Sequence, residues 1–408
     1  MPLDLKKVIP QIKNIETSTS YDLQRNRLED TYNLFVEVSK KGEMLRAKLL
    51  ETKESGKSSF FFPIPQLNKN IDEISECNYE FSLPHIVVAT DGSQINPSAH
   101  EITSSFLLNI GLVAIPYFAG GIPVCLSSEP TLYSSSEDLN PKAFNESVPD
   151  EDLISYERTI KEIEEVVKLA KKYKEHNIPI IALLDGTLIH WHIEKFSNYF
   201  VELFIKRFSD ALLELKALNI PVASFLSNSR SNDLINMLRI FKCPYDEVNC
   251  KKYCSSIESK KFPCNPGPDY VPVLDRKLIG QFFKEKKSSL GSRTILFKST
   301  SKILNLYPDE LKVYFFYINT GTETARVEIP EYVASDENLL DLIHNVVFLQ
   351  CKVGFGYPVT LSEAHLQAVV NKNDRQIFYD LIKEQMLQDK RSIVRLSSKE
   401  LRKRISFS

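Results

Sequence analysis

The sequence predicts an α/β fold in which helices flank a mixed β-sheet. Two apolar runs, 85–90 and 180–184, are each followed by Asp-Gly, and a long amphipathic segment lies between them. Apolar runs of this length are typical of strands buried on both faces, and ligand sites in open α/β sheets gather at the carboxyl ends of such strands. If the two strands are neighbours, Asp91 and Asp185 converge.

The two Asp-Gly pairs together indicate a metal site. The glycine after each aspartate allows a sharp turn and lets a metal or phosphate approach the backbone closely. Asp-Gly is also a common turn dipeptide, so either pair taken alone is more simply explained as a turn.

The N-terminal residues 1–80 have mostly helical patterns, with charged and apolar steps over 21–50. A Ser/Phe/Pro stretch at 58–65 is typical of a linker. We assign residues 1–80 to an N-terminal helical arm and linker. Such an arm serves either as a contact with a partner or a second copy of the chain, or simply as a helical cap on the sheet.

Between the two apolar runs, the segment 98–126 is strand-like. Glycine and proline interrupt its apolar part, 110–126, which is therefore too short and too broken to span a membrane. We expect one or two strands here.

A strongly amphipathic helix is predicted over 151–174. At 100° per residue, Glu162 projects within the apolar arc, whereas Glu164 and Glu165 do not. An inward carboxylate without a partner is costly, so Glu162 requires a cation. Two interpretations stay open: a metal ligand, or an ion pair with Arg158 four residues earlier.

The order of these elements is that of an RNase H-like fold: a strand with Asp91, further strands, a helix with Glu162, a strand with Asp185, a helix and a strand at 220–226. In such folds the first and fourth strands lie side by side and the first helix supplies a glutamate. This order predicts that three acidic groups meet at one edge of the sheet, although a fold alone does not establish a function.

Near the C-terminus, a Gly/Pro loop at 354–358 leads into a predicted helix. Thr360 and Glu363 have the spacing of a capping box, which places the helix start at Thr360 and His365 just past the first turn. By position alone, His365 is also explained as a histidine packed on a helix face. Further strands are predicted at 294–298, 312–318 and 325–329.

An insertion at 240–270 contains four of the seven cysteines, with six, three and nine residues between them. Four thiols in a polar loop of a cytosolic protein indicate a structural zinc ion or an iron–sulfur cluster, because stable disulfides do not persist there. The spacing lacks the paired CxxC form of common zinc ribbons, so four ordinary thiols remain an alternative. The residues are Cys243, Cys250, Cys254 and Cys264.

Taken in order, five motifs resemble those of the NurA nuclease family over roughly residues 81–385. They are Asp91-Gly92-Ser93, Leu184-Asp185-Gly186-Thr187-Leu188, Ser229-Arg230-Ser231, Ala325-Arg326-Val327-Glu328-Ile329-Pro330 and the segment Gly354 to His365 with its Tyr357-Pro358 and Ala364-His365 contexts. The resemblance implies an RNase H-like nuclease domain over 81–385, followed by a basic C-terminal tail over 386–408.

The resemblance also implies the site residues. Asp91, Glu162, Asp185 and His365 would form the metal-binding catalytic group, with Tyr357 as an accessory residue. Which glutamate of the 162–165 cluster is the ligand rests on helix phase. An oxygen-rich site with one imidazole favours Mn²⁺, with Mg²⁺ as the alternative. His365 would be a metal ligand or an acid that assists the leaving oxygen.

Members of this family are 5′ to 3′ DNA exonucleases with single-strand endonuclease activity. They act with a HerA-type hexameric ATPase in DNA end resection and repair, and the resemblance implies the same partners and a homodimer here. Two alternatives are a non-catalytic DNA-binding scaffold that docks the translocase and an RNA-directed nuclease of the same fold.

The charge balance argues against a global basic field, since 51 basic and 53 acidic residues give a net charge of −2. Any contact with DNA must therefore be local, and Arg230, Arg276 and the tail are the candidates. The start lacks an apolar signal region, so we expect a cytoplasmic protein without a membrane segment.

Overall fold

In the computed structural model, the chain forms both helices and strands. The structure describes residues 4–13, 17–97, 105–135, 139, 150–266 and 273–388. The strands are β1 Ile64–Pro65, β2 Ile74–Ser75, β3 His85–Ile95, β4 Phe106–Tyr117, β5 Cys125–Tyr133, β6 Ile180–Asp185, β7 Val222–Leu226, β8 Arg293–Thr294, β9 Phe297–Lys298, β10 Val313–Asn319 and β11 Thr324–Pro330.

The α-helices include both long and single-turn elements. They are α1 Leu5–Lys13, α2 Thr17–Ser39, α3 Gly42–Ser55, α4 Asp150–Tyr173, α5 Asn198–Ala217, α6 Asp233–Lys242, α7 Cys250–Tyr253, α8 Asp275–Glu285, α9 Glu331–Ala334, α10 Glu337–Val353, α11 Val359–Ala368 and α12 Lys372–Gln388. Within the described residues, no helix is long and apolar enough to cross a membrane.

The chain divides into two compact units. The first unit comprises Met1–Glu76, Ser227–Thr300 and Phe315–Arg326, and the second comprises Cys77–Leu226, Ser301–Tyr314 and Val327–Ser408. These units group residues by proximity, and the domain boundaries drawn from the sequence stay a prediction.

The second unit contains a mixed sheet with the strand order β7-β6-β3-β4-β5. The pairs β3/β4 and β4/β5 are antiparallel, whereas β3/β6 and β6/β7 are parallel. The predicted α/β class with a mixed sheet is confirmed, and so is the side-by-side placement of the strands that carry Asp91 and Asp185. The RNase H-like fold stays a prediction.

The register of the parallel pair decides where the aspartates lie. Ala89 pairs with Leu183, so Asp91 and Asp185 occupy equivalent positions two residues further along. The apolar runs before them are buried, as expected for strands covered on both faces. The two aspartates therefore project from the same face of neighbouring strands.

Helices cover this sheet because their apolar faces match the buried strand residues. The predicted helix over 151–174 is α4, which packs on β3 through residues such as Ile163, Val166 and Ala170. Helix α11 lies on β3 and β4. At Gly111 a Cβ atom would stand 2.3 Å from the Ala364 carbonyl oxygen, so only glycine admits the helix this close.

The first unit has its own sheet pairs and its own core. Here β1 pairs with β9, and β8 pairs with β2 and β10. Helices α2, α3, α6 and α8 enclose a core that includes Phe35, Phe282 and Phe315. The predicted helical stretch over 21–50 is divided between α2 and α3, and the later predicted strands are present as β8 to β11.

Candidate active site

The two aspartates differ in their local backbone. Asp185 ends β6, and Gly186 follows with a φ of 88°, a turn conformation that glycine adopts without strain. Asp91 does not end its strand, contrary to the prediction, because β3 continues to Ile95 by pairing with β4 after its pairing with β6 has ended. The Asp91 side chain therefore projects from the middle of a long strand.

Glycine is required at position 92 because α4 lies very close to β3 there, and not because the backbone turns. A Cβ atom there would stand 2.5 Å from Glu162 Oε1 and 2.6 Å from Arg158 Cγ. The Thr90 hydroxyl also donates to the Glu162 carbonyl oxygen at 2.8 Å, which fixes α4 against β3 at this level. Glycine at position 92 thus lets the helical carboxylate reach the two aspartates.

Glu162 forms the predicted ion pair with Arg158, and its role as a metal ligand stays a prediction. Its carboxylate lies 3.3 Å from Arg158 Nε, and Asp91 and Asp185 are close enough to influence its charge. Burial raises the pKa of Glu162, Arg158 lowers it, and Asp91 and Asp185 raise it, so that the resulting pKa is about 8. Asp91, Glu162 and Asp185 thus form one group of carboxylates, which we call the acidic cluster, and Arg158 lies beside it.

The neighbouring glutamates on α4 are engaged elsewhere. Glu164 accepts a hydrogen bond from Arg207 at 2.8 Å and pairs with Lys161, and Glu165 pairs with Lys168. Helix phase thus selected the glutamate that lies with the aspartates.

Tyr357 contacts the acidic cluster through Asp185. The tyrosine hydroxyl donates a hydrogen bond to the Asp185 carboxylate. Burial raises the pKa of Asp185, the hydrogen bond from Tyr357 lowers it, and the nearby Asp91 charge raises it. The loop that carries Tyr357 requires Gly354, where a Cβ atom would stand 2.0 Å from the tyrosine carbonyl oxygen.

His365 contacts Asp91 directly. Its Nδ1 atom lies 2.7 Å from Asp91 Oδ2, and the side chain is 65% exposed. The capping-box prediction was wrong: α11 begins at Val359, and the Thr360 amide and hydroxyl both donate to the Gln350 side chain. With the helix start at Val359, His365 lies in the second turn of α11. Its contact with Asp91 places its side chain toward β3.

Glu328 belongs to this region but lies outside the site residues predicted from the sequence. It is buried, and its Oε2 atom accepts hydrogen bonds from the Thr187 hydroxyl and the Leu188 amide, both at 2.8 Å. It thereby holds the turn that follows Asp185. A glutamate between the apolar residues Val327 and Ile329 of a strand was the available signal.

The donor set suits a hard divalent cation. Three carboxylates and one imidazole are the ligand types that Mn²⁺ and Mg²⁺ accept. As the side chains stand, no group of three or more His, Cys, Asp or Glu in the described part of the chain is arranged to hold a metal ion. Each donor instead has a protein partner: Glu162 has Arg158, Asp185 has Tyr357, and Asp91 has His365. The residues fit the metal in chemistry, and binding would exchange these contacts.

The predicted DNA-binding arginines and the four cysteines of the insertion belong to the first unit. Arg230 is exposed, and Arg276 donates to Asn228 Oδ1 at 3.0 Å. The four cysteines of the insertion border one cavity. Most of the predicted basic tail, from residue 389 onward, lies outside the described residues.

Comparisons with known proteins identify a family for this chain. The NurA domain model matches residues 85–370, which include the acidic cluster, Tyr357 and His365. The crystal structure of the NurA nuclease from Sulfolobus solfataricus is similar at 15% identity and a TM-score of 0.42, over 78% of this chain and 88% of that chain. No curated protein matches the sequence.

Proposed function

The chain belongs to the NurA family, and from this premise we propose that it is a metal-dependent DNA nuclease. Its catalytic centre would be the acidic cluster with His365, and Tyr357 would be accessory. The observation that carries the proposal is the convergence of three carboxylates from separate elements, two strands and a helix, beside an imidazole.

Phosphodiester hydrolysis requires an activated water and neutralisation of charge on the attacked phosphate and the leaving oxygen. Two divalent ions held by Asp91, Glu162 and Asp185 would supply both when bound. The protein supplies the positions of the donors: Tyr357 orients the Asp185 carboxylate, and His365 orients Asp91.

His365 also has a second ring nitrogen. Because Nδ1 is engaged by Asp91, Nε2 is the nitrogen available to bind a metal or to hold a proton for the leaving oxygen. The exposure of the side chain gives a DNA backbone access to this atom.

The finer properties follow from family resemblance. We expect 5′ to 3′ exonuclease activity, single-strand endonuclease activity, preference for Mn²⁺, and action in DNA end resection and repair. The partners would be a HerA-type hexameric ATPase and a second copy of this chain, in the cytoplasm. Arg230, Arg276 and the basic tail would contact the phosphates.

Cleavage of end-labelled single- and double-stranded DNA with Mn²⁺, Mg²⁺ or chelator tests the proposal. We expect metal-dependent cleavage by the wild type that D91N and D185N abolish while both variants stay folded, and that E165Q retains. No cleavage by the wild type, even with the ATPase added, would favour the scaffold alternative. Preferential cleavage of matched RNA would favour the RNA-directed alternative.

A further inference from the structure

Four cysteine side chains of the first unit border one small cavity. The cavity has a volume of about 10 Å³. Most of the other residues around it are apolar or aromatic: Phe60, Ile240, Tyr245, Val248 and Pro263, with Arg239 and Asn249. The acidic cluster does not include this cavity, because its three carboxylates all lie in the second unit.

The backbone around each cysteine is held in place. Cys243 follows α6, and its amide donates to the Ile240 carbonyl at 3.2 Å, while Lys48 Nζ donates to the Cys243 carbonyl at 2.6 Å. Cys250 begins α7, and its amide donates to the Lys57 carbonyl at 3.2 Å. The contacts with Lys48 and Lys57 hold the backbone of two of the cysteines against elements distant in sequence.

The other two cysteines lie in the same short insertion. The Cys254 amide donates to the Cys250 carbonyl at 2.9 Å, so these two cysteines lie on one turn. Cys264 is buried and hydrogen-bonds Arg239. All four thiols are free of disulfides. Burial raises the pKa of the Cys254 thiol, and the three neighbouring thiols raise it further, which agrees with their mutual proximity.

The geometry points to one structural zinc ion bound by Cys243, Cys250, Cys254 and Cys264. Four thiolates complete the closed tetrahedral set that structural zinc sites use. A volume near 10 Å³ admits about one water-sized sphere, which favours a single ion over a four-iron cluster with its eight core atoms.

Binding requires only a local change. In the described residues no three donors yet stand in a metal-holding arrangement, so the thiols must turn inward to about 2.3 Å from a central ion. Since all four already border the cavity, side-chain rotation is the movement needed. Arg239 supplies positive charge beside a zinc tetrathiolate, whose own net charge is negative.

Metal analysis of the purified full-length protein tests this inference. We expect about one zinc per chain in the wild type and at least about tenfold less in C254S and C264S. The matched control is C125S, which replaces a cysteine of β5 outside the cavity and should keep its zinc. Zinc retained by both C254S and C264S would overturn the proposal.

Cobalt substitution gives a second readout that needs no variant to fold. Co²⁺ added to metal-depleted wild-type protein should produce sulfur-to-cobalt charge-transfer bands and the strong visible bands of tetrahedral cobalt. Weak octahedral bands alone, no metal in the wild type, or iron with inorganic sulfide in place of zinc would each overturn the zinc assignment.

Discussion

Two groups of carboxylates in this molecule each lie beside an arginine, yet they differ in their hydrogen-bond partners and in their exposure to water. The acidic cluster of the second unit contains three carboxylates near Arg158. The first unit contains a network of Asp233, Asp275, Tyr317 and Arg326, in which Asp275 is fully buried and the Asp233 side chain is 26% exposed. The difference shows which of the two groups is suited to bind a ligand.

In the network of the first unit, protein donors hold the buried Asp275 carboxylate. Asp275 has no exposed surface and accepts hydrogen bonds from the Leu234 and Ile235 amides at 3.1 and 3.2 Å and from the Tyr317 hydroxyl at 2.9 Å. Arg326 Nη1 lies 2.7 Å from Asp233 Oδ2. Because Asp275 caps the first turn of α6, the network stabilises structure.

In the acidic cluster, the carboxylates keep access to water. The side chains of Asp91 and Glu162 are 23% and 22% exposed. Besides the Gly92 and Gly186 amides, the partners of these acids are side chains that can move away, among them Arg158 and His365. Partly exposed carboxylates with exchangeable partners can accept a metal, whereas the fully buried Asp275, which holds two amides of α6, cannot do so without unfolding a helix turn.

The largest expected effect is on stability, from D275A. This substitution leaves two helix amides and the Tyr317 hydroxyl without their acceptor and removes a counter-charge near Arg326, so we expect the free energy of unfolding to fall by about 3–5 kcal/mol. Denaturant titration measures it, with the exposed D246A as control. A loss no larger than that of the control would contradict the structural role.

The next effect is on catalysis, from E162Q. Removing a charge that would hold metal should lower the cleavage rate by about 10²–10³-fold with little change in stability. On the same helix, E165Q removes a glutamate paired with Lys168 and should leave the rate within about twofold, since such pairs contribute little. Equal losses in the two variants would show that Glu162 has no special role.

A smaller effect is expected from E328A. The variant loses the acceptor for the Thr187 hydroxyl and the Leu188 amide, which should cost about 1–3 kcal/mol and loosen the turn after Asp185. Thermal unfolding should shift downward, and at saturating Mn²⁺ the cleavage rate should fall without full loss. An unchanged rate in a destabilised variant would mean that Glu328 does not position Asp185.

The smallest effect is expected from R158Q. Arg158 competes with metal for Glu162 through a partly exposed ion pair, an interaction of at most about 1 kcal/mol. The Mn²⁺ concentration for half-maximal cleavage should therefore fall by up to about fivefold. A raised concentration would indicate instead that Arg158 supports the metal-bound site, and K168Q serves as the control.

Sequence reasoning located the acidic cluster because its signals are local. The period of α4 separated Glu162 from Glu164 and Glu165, and the apolar runs placed Asp91 and Asp185 on buried strands. His365 and Tyr357 came from resemblance, since a histidine on a helix face carries no local signal of its partner.

The rest depended on contacts between distant segments. The continuation of β3 past Asp91 arises from its pairing with β4, and polar residues there gave no apolar alternation to reveal it. Thr360 bonds Gln350 across two helices in place of a local cap. Glu328 acquires its role only when β11 lies near the turn at Thr187, a proximity that no local pattern encodes.

The central claim is that the acidic cluster binds divalent metal, and a Mn²⁺ titration of the purified protein followed by calorimetry tests it most directly. We predict that the wild type and E165Q bind Mn²⁺ alike, and that D91N and D185N lose this binding while they remain folded. Unchanged Mn²⁺ binding in D91N and D185N would place the metal elsewhere and contradict the account.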